Sequence, residues 1–267
     1  MSSRDPDRAV DGLHLDIRGP VATLWFDRPE RRNALAKRHW DAIPSLIEGI
    51  DEAPSVRVLV LRGSEGSFCA GADISEFRTE RAAGKPAAAY EEANEAAFGA
   101  VRFCSIPTIA ALEGAVFGGG FGLAAACDLR IAESGTRFAI PAGKLGLAYP
   151  VEAMADIVAA VGVNGAKQML LTGGTFDAET MLRWGMVAEV VPSQEMDRAL
   201  AELTASVVGL APSTLQAAKA VIDGGRLADA ELLERAKRLG AATFASEDYA
   251  EGLRAFEQKR PPRFTGR

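Results

Sequence analysis

Cysteine and histidine are scarce in this 267-residue chain, which has three cysteines and two histidines. The cysteines (Cys69, Cys104 and Cys127) are odd in number and form no CxxC pair, so the sequence predicts reduced thiols in a cytoplasmic protein. The histidines, His14 and His39, lie in the first predicted strand and the first predicted helix. With no cluster of histidine, cysteine and carboxylate at ligand spacing, we expect no catalytic metal and no Ser-His-Asp or Cys-His nucleophile.

Signals for secretion, membranes and nucleic acid are also lacking. The polar N-terminus, MSSRDPDRAVDG, has no apolar core of a signal peptide. The net charge is −6 and no basic stretch alternates with aromatics, so we expect no nucleic-acid partner. The most apolar stretch, residues 106–126, contains Glu113 and five glycines. It is typical of a strand, a turn and a buried helix, and we expect no membrane partner.

What is present indicates an α/β protein. Apolar residues make up 48% of the chain and charged residues 25%, and no Pro/Ser-rich linker marks a domain boundary. Alternating residues 13–17 and 21–26 flank Gly19-Pro20, which predicts a β-hairpin. Strands and helices then alternate up to residue 150, and from residue 151 onward the pattern is helical apart from a strand at 187–191. That order favours a mixed α/β architecture.

Three consecutive glycines lie between a predicted strand and a predicted helix, in the segment IAALEGAVFGGGFGLAAACD at 109–128. Ordering three glycines costs roughly 0.5–1 kcal/mol each relative to alanine, so the triplet indicates a close approach to the backbone. The free N–H groups of a helix start also favour an anion. The triplet is equally compatible with tight packing of helix on sheet, and the sequence leaves both interpretations open.

A second turn, CAGADI at 69–74, ends a loop and begins a helix, and Asp73 is a suitable N-terminal cap. If the two turns face each other, one N–H from each converges on a carbonyl oxygen. Such a pair is an oxyanion hole, in which losing one donor costs about 10²–10³ in rate.

Residues 120–125 also match the dinucleotide pattern GxGxxA, but Ile140 stands where an acidic residue is needed, which disfavours a Rossmann-type oxidoreductase.

Four segments together resemble the crotonase superfamily, also called the enoyl-CoA hydratase/isomerase family. They are FDRPERRNAL at 26–35, FCAGADI at 68–74, GAVFGGG at 114–120 running into ACD at 126–128, and EQKRPPRF at 257–264. The resemblance spans nearly the whole chain. It implies an α/β fold with a crotonase-like spiral of ββα units in residues 1–200, and a C-terminal helical region in 201–267 that forms homotrimers or dimers of trimers.

The resemblance also implies a ligand and the residues that bind it. The ligand is an acyl-CoA, with coenzyme A carried as part of the substrate and no separate cofactor. The backbone N–H groups of Ala72 and Gly119 would form the oxyanion hole. Contacts with coenzyme A are implied for Ala34, Ala70, Gly71, Asp73, Ile74, Lys259 and Phe264, with Lys259 placed at a CoA phosphate.

The chain departs from the family at the acid–base residues. Hydratases of the family use two glutamates, at the positions of Gly122 and Ala142, and neither glycine nor alanine transfers a proton. The acid that isomerases and dehalogenases often place at Pro150 is also missing. Two-glutamate hydration is therefore not expected, whereas a backbone oxyanion hole survives these changes.

Several functions stay open on the sequence. Tyr149 resembles the tyrosine that members similar to methylmalonyl-CoA decarboxylase place beside the substrate carboxylate, although Ala72 stands where that decarboxylase has histidine. The chain is thus expected to be a lyase or isomerase that stabilises a thioester enolate, a decarboxylase, or a non-catalytic acyl-CoA-binding paralogue. Glu113 and Glu152 are candidates for a replacement base.

Overall fold

The computed structural model describes residues 10–51, 53–77 and 85–267. Within these ranges the strands are β1 (Leu13–Arg18), β2 (Val21–Phe26), β3 (Val58–Gly63), β4 (Thr108–Leu112), β5 (Ala115–Phe117), β6 (Leu129–Glu133), β7 (Arg137–Ala139), β8 (Thr175–Asp177) and β9 (Glu189–Val191). The helices are α1 (Lys37–Asp51), α2 (Lys85–Arg102), α3 (Gly119–Ala126), α4 (Val151–Thr172), α5 (Ala178–Trp184), α6 (Met196–Val208), α7 (Pro212–Leu227), α8 (Ala230–Thr243) and α9 (Glu247–Glu257). The polar segment 1–9 lies outside the described residues.

The strands form two sheets. The larger has six strands in the order β1-β2-β3-β4-β6-β9, and the smaller has three in the order β5-β7-β8. Only β1 and β2 pair antiparallel in the larger sheet, through the predicted hairpin, while its other neighbours are parallel. Parallel neighbours need a crossover between them, and the helices supply it.

Pairs of strands followed by a helix recur along the chain. β1 and β2 precede α1, β4 and β5 precede α3, and β6 and β7 precede α4. In the last two units the first strand joins the larger sheet and the second joins the smaller one. The predicted α/β class and the recurrence of ββα units are confirmed.

The larger sheet is covered on both faces, which explains why β4 is buried along its whole length. On one face the main core contains large side chains from α1, α2 and α3, including Trp40, Phe98 and Phe121. On the other face α6 packs on β3, β4 and β6 through Met196, Ala199 and neighbouring apolar residues. The predicted boundary at residue 200 therefore falls inside a helix that packs on the sheet.

Buried ion pairs fasten the C-terminal helices to this core. Asp156 of α4 is 2% exposed and pairs with Arg102 of α2 and, at 2.9 Å, with Arg226 of α7. Lys219 of α7 lies 2.7 Å from the Asp128 carboxylate. Because α2, α4 and α7 meet at Asp156, this carboxylate connects the cavity-lining part of the molecule with its C-terminal helices.

The C-terminal helices also expose apolar side chains, among them Ile222 and Phe256. The homotrimer stays a prediction.

No single helix of the described residues is long and apolar enough to cross a membrane. One pair, Ser193–Val208 with Pro212–Leu227, reaches that length and hydropathy only when counted together, and it is bent by 100° at its junction.

Candidate functional site

The loop after β3 is fixed by a single buried asparagine. The side-chain nitrogen of Asn33 donates to the carbonyl oxygens of Ser64 (3.0 Å) and Ser67 (2.5 Å), and its oxygen accepts from the Arg28 N–H at 2.8 Å. Asn33 adopts a left-handed conformation with φ 57°, which asparagine tolerates better than most residues. Local sequence chemistry thus ties the loop that carries the second turn to the segment that follows β2.

Arg28 anchors the second turn through its guanidinium group. Its guanidinium donates to the Ala34 carbonyl oxygen at 2.6 Å and to the Asp73 carboxylate at 3.1 Å. Asp73 also caps the following short helical turn by accepting from the Ser75 N–H at 3.1 Å, as predicted. Burial raises the pKa of Asp73, but the hydrogen bonds from Ser75 and the Arg28 guanidinium outweigh it and leave the pKa below its ordinary value. Asp73 is therefore a charged structural anchor.

The backbone at Gly71 directs the N–H of Ala72 toward the interior of the site. Gly71 has φ +96°, a conformation that other residues rarely adopt. Leu35 donates to the Gly71 carbonyl oxygen (2.8 Å) and accepts from the Asp73 N–H (2.9 Å). Because successive residues of an extended segment point their N–H groups to opposite sides, and the Asp73 N–H points to Leu35, the Ala72 N–H points away from Leu35.

The first glycine turn faces this segment. A side-chain carbon added at Gly71 would lie 3.3 Å from the Gly119 nitrogen and 2.7 Å from the Phe117 oxygen, so the two turns touch. Gly119 is the first residue of α3, where an N–H has no partner inside the helix. Within the described residues, neither the Ala72 N–H nor the Gly119 N–H has a hydrogen-bond acceptor. The sequence left open whether the two turns face each other, and in the structure they do.

A cavity that is partly open to solvent lies where the two turns meet. Both turns line it through their backbones, α2 forms another wall, and residues 141–150 close it opposite. Phe77, Phe98, Leu145 and Leu147 make most of this surface apolar. A mostly apolar cavity with a few polar groups is typical of a small-molecule site.

The position of the first missing glutamate is filled by other side chains. A carbon added at Gly122 would lie 2.7 Å from both the Tyr149 hydroxyl oxygen and the Phe98 ring. Ala142, at the second glutamate position, lines the cavity wall. Tyr149 lines it too, and its hydroxyl donates to the Gly118 carbonyl oxygen at 2.8 Å.

The structure brings most, but not all, of the predicted site residues together. Around the cavity lie Ala70, Gly71, Ala72, Ile74, Gly119 and Tyr149. Ala34 and Asp73 are buried behind the second turn, where Arg28 bridges them. Lys259 and Phe264 follow α9 and do not line the cavity. Their contact with coenzyme A stays a prediction.

Neither of the proposed replacement bases lines the cavity. Glu113 is 8% exposed and pairs with Arg62 at 3.1 Å. Glu152 lies at the exposed start of α4. Burial and, to a smaller extent, the negative charge of Glu152 raise the pKa of Glu95 above its ordinary value. Glu113 is therefore held in a buried ion pair, and Glu152 is exposed outside the cavity.

Two residues that the sequence analysis missed do line the cavity, Glu91 and Asn94 of α2. They are three residues apart, and Phe98 follows four residues later, so all three share one face of the helix. Within the described residues Glu91 is the only carboxylate in the cavity wall. The spacing was visible in the sequence, but it does not say which face of α2 meets the site.

The cysteine at the start of the second turn has an unreactive thiol. Cys69 is completely buried, and this burial raises the pKa of its thiol to about 12. Its sulfur accepts from the Gly71 N–H at 3.4 Å. Across the described residues, no group of three histidine, cysteine or acidic side chains is placed to hold a metal ion. The polar groups that line the cavity are backbone N–H groups and a few side chains, Glu91, Asn94 and Tyr149.

Comparisons with known proteins agree with this architecture. Residues 16–267 match the family model described as enoyl-CoA hydratase/isomerase. A probable enoyl-CoA hydratase of Mycobacterium tuberculosis is 32% identical over 250 residues, which cover 92% of this chain and 95% of that protein. The carnitinyl-CoA dehydratase of Proteus mirabilis is 32% identical over 269 residues, covering 96% and 98%.

A solved structure supports the same assignment. The enoyl-CoA hydratase/isomerase family protein from Hyphomonas neptunium is 37% identical and superposes with a TM-score of 0.90, covering 96% of this chain and 98% of that one. These matches place the chain, with its two adjoining backbone turns on a two-sheet ββα scaffold, in the crotonase superfamily. The chain belongs to the enoyl-CoA hydratase/isomerase family.

Proposed function

We propose that this protein is an enzyme that binds an acyl-CoA thioester and holds the thioester oxygen between the N–H groups of Ala72 and Gly119. The observation that carries the proposal is that both N–H groups border one cavity, belong to touching turns and have no acceptor among the described residues. The positive end of the α3 dipole at Gly119 adds to the attraction for negative charge. Such an arrangement stabilises the enolate formed when the α-carbon loses a substituent.

The reaction that best fits the cavity is isomerisation of a double bond. A single carboxylate can take the proton from the carbon next to the thioester, leaving a dienolate, and return it to the carbon two positions further on. Glu91 is the one carboxylate in the described cavity wall, so we propose it as this proton carrier. Two-glutamate hydration needs two acid–base groups, and Gly122 and Ala142 supply none.

Decarboxylation is the alternative that Tyr149 suggests, but two contacts weigh against it. The Tyr149 hydroxyl donates its hydrogen bond to the Gly118 carbonyl oxygen, so it has no second hydrogen to donate to a substrate carboxylate. A carboxylate on the substrate would also share the cavity with Glu91, and like charges repel. A non-catalytic acyl-CoA-binding paralogue has neither problem, and turnover measurements distinguish it from an enzyme.

Binding is tested first, by calorimetry with butyryl-CoA. We expect saturable binding to the wild-type protein and weaker binding to Ala72→Pro, which removes one N–H. Ala72→Gly keeps the N–H and is the matched control. Circular dichroism and thermal melting check that each variant is folded. If no acyl-CoA bound, the proposal would be wrong as a whole.

Turnover is tested with a 3-enoyl-CoA, crotonyl-CoA and methylmalonyl-CoA in parallel. We expect isomerisation of the first, and we expect Glu91→Gln to lower its kcat by about 10²–10⁴ with little change in butyryl-CoA affinity. Glu92→Gln changes the neighbouring, exposed glutamate of α2 and is expected to behave as wild type. Rapid hydration of crotonyl-CoA, or release of CO₂ from methylmalonyl-CoA, would contradict the proposed reaction.

A further inference from the structure

Asn94 presents a buried amide with an unmet hydrogen-bonding requirement at the cavity. The residue lies in the middle of α2, is 7% exposed and lines the cavity. Its side-chain oxygen is fully buried and has no hydrogen-bond partner in the described part of the structure. Buried amides are nearly always paired, because leaving one unpaired costs the free energy of its desolvation.

Helix formation does not explain an asparagine at this position. Alanine is frequent in α2, as its sequence KPAAAYEEANEAAFGAVR shows, and alanine is the best helix former. Asparagine is among the poorer ones, since its amide competes for backbone hydrogen bonds. The neighbouring Ala93 and Ala97 pack into the core without polar groups. Asn94 therefore lowers helix stability and adds an unpaired amide oxygen, and no hydrogen bond among the described residues offsets the second cost.

The surroundings of Asn94 indicate what would pair with it. Phe98 lies one turn further along the same helix face, and Leu145, Leu147 and Ala142 contribute apolar surface to the same cavity. Glu91, one turn earlier on that face, disfavours a negatively charged ligand group. A neutral hydroxyl fits best, because it both donates and accepts and so satisfies either end of an amide.

We propose that Asn94 recognises a hydroxyl group on the acyl chain, and that the substrates of this protein are hydroxylated acyl-CoA thioesters. This inference rests on the proposed function, since it places the acyl chain in the cavity beside Ala72 and Gly119. It goes beyond it by assigning the polar feature that distinguishes the substrate from a plain acyl-CoA. Asn94 is a specificity-determining residue here and takes no part in proton transfer.

The test compares butyryl-CoA with 3-hydroxybutyryl-CoA and 4-hydroxybutyryl-CoA by calorimetry. These saturated thioesters have no double bond to isomerise. We expect the wild-type protein to bind at least one hydroxylated ligand about 3- to 10-fold more tightly than butyryl-CoA, as one net hydrogen bond provides. Asn94→Leu, which has a similar size and no polar atoms, is expected to remove this preference, so that the variant binds hydroxylated and plain thioesters with equal affinity.

Two further measurements keep the outcome decisive. The apo Asn94→Leu protein is expected to melt at or above the wild-type temperature, because the unpaired amide is gone, and Asn94→Ala replaces it if leucine blocks the cavity. Glu92→Leu, on the exposed face of the same helix, is the matched control and is expected to keep the wild-type preference. Unlike Asn94→Leu, it removes no cavity-lining group.

The proposal is overturned if the wild-type protein binds all three ligands equally or if Asn94→Leu keeps the preference. It is also overturned if Asn94→Leu only slows hydration of an unsubstituted enoyl-CoA, because the amide would then hold a water molecule. If butyryl-CoA binds and only the preference is missing, the proposed function stands without this inference. If no thioester binds, both fall.

Discussion

A carbon atom added at Gly122 would lie 2.7 Å from the hydroxyl oxygen of Tyr149. The same carbon would lie 2.7 Å from the Phe98 ring. The Tyr149 hydroxyl is itself held by the Gly118 carbonyl oxygen at 2.8 Å. Gly122 and Tyr149 therefore depend on each other: the tyrosine occupies the space in which a side chain at residue 122 would begin.

This relationship predicts that Gly122→Glu does not restore a hydratase. The new side chain must displace Tyr149 and Phe98, so we expect a loss of about 1–3 kcal/mol in the free energy of unfolding. We also expect no gain in crotonyl-CoA hydration. Urea unfolding and a hydration assay measure the two effects. Ala142→Glu, at the other glutamate position, starts from a residue that already carries a side-chain carbon and is expected to fold normally.

A wild-type stability for Gly122→Glu would show that Tyr149 does not fill this space in solution. The converse experiment combines Gly122→Glu with Tyr149→Ala. We expect this double variant to recover part of the stability lost by the single one, because the clash with the hydroxyl is removed. Residues in contact are expected to show such non-additive effects.

A second prediction concerns Gly120, where the two turns approach each other closely. A side-chain carbon at Gly120 would overlap the carbonyl oxygen of Cys69, which accepts from the Phe117 N–H at 3.0 Å. Because backbone atoms cannot move away easily, we expect Gly120→Ala to destabilise the protein by about 1–3 kcal/mol and to weaken acyl-CoA binding. Thermal melting and calorimetry measure these two changes.

Gly99 is the matched control for this substitution. It lies inside α2, and a side-chain carbon there would meet no atom within 4 Å. Gly99→Ala is expected to stabilise the protein by about 0.5–1 kcal/mol, because alanine favours the helix. Equal effects of Gly99→Ala and Gly120→Ala would mean that the glycine triplet serves only backbone flexibility.

Features that depend on short stretches of sequence were predictable. The hairpin around Gly19-Pro20, the start of α3 within the glycine triplet and the capping role of Asp73 all follow from local residue chemistry. These patterns require no knowledge of what packs against them.

Features that depend on distant partners were not predictable. The strands β5 and β8 have three residues each, too few for a periodic signal, and they exist because β7 pairs with both. The same holds for Glu91 and Asn94. Their spacing is helical, but only the packing of α2 against the two turns shows which face of the helix borders the cavity.

The carboxylate of Asp156 is predicted to be the most sensitive charge in the described structure. It is 2% exposed and pairs with Arg102 and Arg226, so removing it leaves two partly buried guanidinium groups without their partner. We expect Asp156→Ala to lower the free energy of unfolding by about 3–5 kcal/mol. Urea denaturation followed by circular dichroism measures the loss.

Glu202 is the control for this prediction. It pairs with Arg198 on the exposed side of α6, where both side chains are at least 60% accessible to solvent. Solvent screens such a pair, and Glu202→Ala is expected to change stability by less than about 0.5 kcal/mol. A similarly small effect of Asp156→Ala would show that α7 does not dock on the core through this carboxylate.

The environment of His39 lets us predict how the free energy of unfolding changes with pH. Its ring is fully buried, Nδ1 accepts from the Ala36 N–H at 2.9 Å, and Nε2 lies 2.8 Å from the Asp11 carbonyl oxygen, so a neutral ring that donates from Nε2 satisfies both contacts. Burial lowers the pKa of His39 from its ordinary 6.5. As the pH falls below about 6.5, the unfolded chain takes up a proton before the folded one does. The stability contributed by the neutral ring is therefore complete above that pH and declines below it.

The measurement is urea unfolding of wild type and His39→Gln at about pH 7.5 and pH 5.5. Glutamine does not titrate, so we expect the variant to lose less stability between the two pH values than the wild type does. Carboxylates titrate in both proteins and cancel in the comparison. Equal losses would mean that the His39 ring accepts a proton in the folded state as readily as in the unfolded chain, which requires Ala36 to give up its hydrogen bond to Nδ1.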